Sequence, residues 1–126
     1  MFGVRNAAQA REMLEKAQAA VVKVAQAGDL RELNSAANQV AFWDGYAALL
    51  AEVEQYGAQA DEFGVEGLQK QFGLMQHVAE VLARGADDEW SGRSNEARRA
   101  RFDGVREAAK VAIKAVQLDA ESAVLG

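Results

Sequence analysis

Cysteine and proline are both absent from this 126-residue chain, and histidine occurs once. Without cysteine there is no disulfide framework and no thiolate metal site. The lack of disulfides fits a reducing compartment. Without proline the strongest helix breaker is gone, which favours long uninterrupted helices. Long apolar runs are missing too. The longest, Ala47 to Ala51, has five residues, against the about 20 that a membrane-spanning helix takes. The start, MFGVRNAAQAR, has no apolar centre of the kind a secretory signal carries. The chain therefore reads as a cytoplasmic protein with no membrane partner.

The motifs of catalysis are also missing. No phosphate-cradling glycine loop, dinucleotide fingerprint, nucleophile elbow or zincin pattern occurs. A di-metal carboxylate bundle uses Glu-x-x-His pairs on two helices, and the lone His77 cannot supply them. His77 falls among Gln76, Glu80 and Arg84 and is predicted at the surface. The acid pairs Glu52 with Glu54 and Asp61 with Glu62, and the run Asp87-Asp88-Glu89, lack the spacing of an acid/base or metal site. The sequence thus predicts no enzyme, no catalytic residue, no metal and no cofactor.

What is present is helical periodicity. The stretch Asp29–Phe63 carries Phe42, Tyr46, Leu49, Val53, Tyr56, Ala60 and Phe63 at alternating spacings of four and three, which places them on one helix face. Trp43 and Leu50 widen that face on one flank. Ala37, Ala41, Ala48 and Ala51 fall on the far side beside polar residues. Such a helix is about 50 Å long, so one short partner cannot cover it. Asp29 and Glu32 have capping-box spacing at its start, although Asn34-Ser35 threatens to break its first turn. Gly45 and Gly57 interrupt the pattern and read as points of close packing or a mild kink.

The remaining helices follow the same logic. Helix 1 is predicted over Asn6–Ala27, capped by Asn6 and stopped by Gly28, with a face made mostly of alanine. Gly64 ends the central helix. A short helix 3 follows, with an inner face of Val65, Leu68, Phe72, Met75, Ala79 and Leu82, weakened by Gly67 and Gly73. The segment 86–95 is a polar loop, in which Trp90 is placed as a lid on the bundle end. Helix 4 is predicted from about Ser94 to Val124, with Phe102, Val105, Ala109, Ile113, Val116, Ala120 and Ala123 inward. The expected fold is all-α: a single domain over 1–126, a mainly antiparallel four-helix bundle with two long helices at about 29–63 and 94–124.

Charge is unevenly spread over the net −5. The span Asp29–Glu66 carries −7, and Arg93–Lys114 carries +4. The acidic and basic helices either face each other or form separate solvated faces. In the basic one, Arg99, Arg106, Lys110 and Lys114 line one flank. Each except Lys114 has an acid three residues earlier (Glu96, Asp103 and Glu107) that neutralises it locally. No aromatic platform for bases accompanies the stripe.

These observations favour a non-enzymatic helical interaction or assembly protein: a subunit, adaptor or scaffold piece that binds itself or another protein. Homo-oligomerisation is expected, because some of the long-helix surface should project beyond the four-helix overlap. The candidate partner-binding residues are Trp43, Leu50, Trp90, Arg99, Arg106, Lys110 and Lys114. Two alternatives rank lower: a small acidic inhibitor that blocks a partner protein, and a nucleic-acid binder using helix 4. The alanine-rich, proline-free style suits a small bacterial or phage protein.

Overall fold

The structure, a computed structural model, describes residues 3–85 and 95–125, with side chains over 3–84 and 96–115. Among the described residues the chain is four helices and no strand: α1 (Ala7–Ala27), α2 (Leu30–Glu62), α3 (Gly67–Gly85) and α4 (Asn95–Leu125). The fold is an all-α bundle, as the periodicity predicts.

Short-range chemistry sets the boundaries. The Asn6 side chain accepts the Gln9 N–H at 2.8 Å and opens α1. Gly28, with φ of 75°, closes it and donates its N–H to the Val24 carbonyl, a left-handed cap that costs glycine nothing. Asp29 then caps α2 through the Arg31 and Glu32 amides. At the far end Val65 N–H reaches the Ala60 carbonyl and Gly64 N–H the Asp61 carbonyl, the paired bonds of a Schellman stop. Asn34-Ser35 does not break α2, which runs 33 residues without interruption. Its Asp29 cap already satisfies the first amides, so a second cap has nothing to add.

The core is organised around α2. Among the described residues this helix packs against all three others, α4 packs against α2 and α3, and α1 packs against α2. From Ala41 to Val53 no residue of α2 is exposed. The expectation of a one-sided α2 is therefore corrected. Ala41, assigned to the solvent side, is buried, while Phe63, assigned to the inner face, is 79% exposed. A helix enclosed by several neighbours is apolar around its whole circumference, and a single stripe cannot describe it. Tyr46 and Leu49 are fully buried at its centre, as expected. Phe42, Trp43 and Tyr46 pack ring on ring, with the Phe42 and Tyr46 centroids each 5.1 Å from that of Trp43.

Glycine sets how closely α4 approaches α2. A methyl group at Gly45 would overlap the Arg101 carbonyl oxygen, and one at Gly104 would overlap that of Phe42. The close approach turns α4 so that Gly104, Val105, Ala108, Ala109 and Ala112 are buried, while Phe102 and Ile113 are only partly so. The expected face is thus rotated toward the small residues. The side chains of Val116, Ala120 and Ala123, also expected inward, lie outside the described set. Gly57, by contrast, has open space around it and is not a packing point.

Candidate functional site

The acids of α2 are distributed among its three neighbours. Glu54 accepts the Ala7 N–H at 2.6 Å, placing a carboxylate at the positive end of the α1 dipole. Asp44 pairs with the largely buried Arg101 of α4 at 3.1 Å. Glu52 accepts from Arg84 of α3 at 2.6 Å and lies 3.5 Å from His77 Nε2. Asp61 pairs with Lys70 of α3. Much of the −7 of this stretch therefore works inside the chain, fastening helices to α2.

The bases that meet α2 are not those of the predicted stripe. Arg106 pairs with Asp103 on its own helix at 3.2 Å, and Lys110 with Glu107 at 3.0 Å. Arg106 also sits over the Phe102 ring, 5.9 Å from its centroid. Arg99, Arg106, Lys110 and Lys114 are all exposed. The stripe faces outward, but two of its four cations are already matched by local acids.

The apolar candidates fare differently. Trp43 and Leu50 are 6% and 3% exposed and belong to the core, so neither can meet a partner while the bundle is closed. Three helices pack on α2, and the flank that Trp43 and Leu50 widen is covered by its own chain. Trp90 lies outside the described residues.

The surface that sequence reasoning missed is on α3. Leu68, Phe72 and Met75, predicted inward, are 45%, 67% and 38% exposed. Another side of α3 packs instead, with Val78 buried and Leu74, His77 and Val81 partly so, while Leu82, also predicted inward, is partly buried as expected. His77 is not the free surface residue expected: its ring stacks on Tyr56 at 5.3 Å with an interplanar angle of 23°. Gly73 lies against the Tyr56 hydroxyl, where a methyl would not fit without moving the ring. The signal for this roll is in the sequence. Lys70, His77 and Arg84 recur every seven residues and so share a face, and that face turns to Asp61 and Glu52 of the acidic α2. With it turned inward, the Leu68–Phe72–Met75 stripe points out.

Among the described residues no three His, Asp or Glu side chains converge as metal ligands, and no helix is long and apolar enough to cross a membrane. Tyr46 is the one described group with a clearly displaced pKa: burial, and secondarily the Glu107 charge, push its phenol up. Its hydroxyl donates to the Val4 carbonyl at 2.7 Å, which ties the segment before α1 to α2. No known protein family matches this chain, and no curated protein or solved structure is detectably similar to it.

Proposed function

We propose that this protein acts by protein–protein contact, as a non-enzymatic helical subunit, adaptor or scaffold piece. The observation that carries this reading is the outward apolar stripe Leu68–Phe72–Met75, joined in sequence by the exposed Phe63. Exposed apolar side chains at helical spacing form a patch on the order of 300 Å², about the size of the largest patch on a typical monomer, and such patches are often functional. Aromatic and methionine side chains are also the types enriched where proteins meet.

The two other readings draw less support. An acidic inhibitor needs free carboxylates, and Asp44, Glu52, Glu54 and Asp61 are engaged within the chain. A nucleic-acid groove needs cations free to displace counterions, and Arg106 and Lys110 have acids beside them.

Affinity capture with the tagged full chain tests the proposal, read by mass spectrometry. A stoichiometric protein, either an untagged copy or another chain, should co-purify and be lost on Phe72→Glu. Recovery of nucleic acid in place of protein, or of the tagged chain alone, contradicts the reading.

A further inference from the structure

The contact reading leaves open what covers α3, and we infer that it is a second copy of this chain, docked antiparallel on the same stripe. The inference rests on the preceding proposal and goes further by naming the partner.

The first argument is charge. Residues 68, 69, 72, 75, 76, 79 and 83, which make up the outward side, include no ionisable group. The exposed rim positions among them are Gln69, Gln76, Ala79 and Ala83. Two copies of a chain of net −5 repel each other wherever acids would meet. This uncharged strip lets them approach, with glutamines that both donate and accept toward their own copies.

The second argument is shape. Leu68, Phe72, Met75 and Ala79 recur at spacings of four, three and four, the spacing with which one helix seats against another. When two such stripes run in opposite directions about a two-fold axis near Gly73, Phe72 of one copy meets Met75 of the other, and Leu68 meets Ala79. Each large side chain then faces a more adaptable or smaller one, and the thioether lies beside an aromatic ring. A two-fold contact requires this kind of self-complementary patch.

The third argument is size. Leu68, Phe72 and Met75 expose apolar area on the order of 300 Å², and the uncharged rim brings the covered surface to roughly 600 Å² per partner. That is the low end for a specific interface, so the dimer is micromolar and reversible. Glu80 of α3 and Glu66, just ahead of that helix, are exposed at the edge of the strip, and the antiparallel pairing brings Glu66 of one copy toward Glu80 of the other. Salt, by screening them, tightens the dimer. A partner held by charge complementarity would loosen instead.

Sedimentation equilibrium on the full chain at about 100 µM, where a micromolar interface is filled, should give twice the monomer mass. The dimer fraction should rise with added salt. Phe72→Glu, at an exposed position, should halve the mass without changing the circular dichroism. Because the chain has no cysteine, single-cysteine variants report contacts cleanly. A short bis-maleimide should join two copies of Gln76→Cys but not two copies of Val22→Cys, an exposed site on α1. A monomer at this concentration, a dimer that Phe72→Glu leaves intact, or cross-linking at Val22→Cys in place of Gln76→Cys overturns the inference. A monomer that still captures a different protein overturns it while leaving the contact proposal standing.

Discussion

Two stretches of this molecule have nearly the same apolar signature and opposite fates. No residue of α2 between 41 and 53 is fully exposed, whereas the regularly spaced Leu68–Phe72–Met75 of α3 faces water. Apolar periodicity shows that a helix has a face to cover. It does not say which neighbour covers it, or whether the neighbour belongs to the same chain. In α3 the roll buries Val78 and packs Val81 and Leu82 on the core, brings Lys70 and Arg84 to Asp61 and Glu52, and leaves Gly73 making room for Tyr56.

The comparison breaks most sharply under truncation. Leu49→Ala, at a fully buried site of α2, should cost about 2–5 kcal/mol in chemical denaturation. Phe72→Ala on α3 removes a larger side chain, yet in the dilute monomer it should change stability by no more than about 0.5 kcal/mol. Equal losses would mean that the α3 stripe is buried after all.

Glycine substitution sharpens it next. Gly104→Ala drives a methyl into the Phe42 carbonyl, a rigid backbone atom, and should destabilise by about 1–3 kcal/mol as the helices separate. Gly57→Ala, on the same α2 but in open space, should stabilise by up to about 1 kcal/mol through helix propensity. Thermal melts of the two variants should move in opposite directions, and a parallel loss would remove the close crossing from the account.

The smallest effect is alkaline. Tyr46 is the buried tyrosine whose phenol is pushed up, first by desolvation and then by Glu107. A raised folded-state pKa contributes stability that is fully present below the unfolded value of about 10 and is lost as pH rises through the folded value. Ultraviolet titration should therefore show one tyrosine ionising late, coincident with a fall in stability. Tyr46→Phe should abolish the late step, and a late step that survives this change would contradict the assignment to Tyr46.

Much of the fold is legible in the sequence because it is local. Asn6, Gly28, Asp29 and Gly64 mark helix ends through chemistry within five residues, and Tyr46 and Leu49 sit where four-three spacing puts them. Trp43 and Leu50 were misplaced because a one-sided wheel has no room for three neighbours. The roll of α3 is not given by its apolar stripe alone, because Lys70, His77 and Arg84 recur every seven residues on another face and Val78 and Val81 supply a second apolar side. The interaction surface follows from that roll, so it could be found only by asking which charges α2 needed to satisfy.

The central claim is that α3 turns its apolar stripe outward while the core of α2 stays closed. Maleimide labelling of single-cysteine variants in dilute, monomeric protein tests it most directly. Phe72→Cys should react at the rate of a free thiol. Leu50→Cys should react only as fast as the whole bundle opens, with the gap between the two rates closing in denaturant. Protection at Phe72→Cys together with rapid labelling at Leu50→Cys would contradict the account.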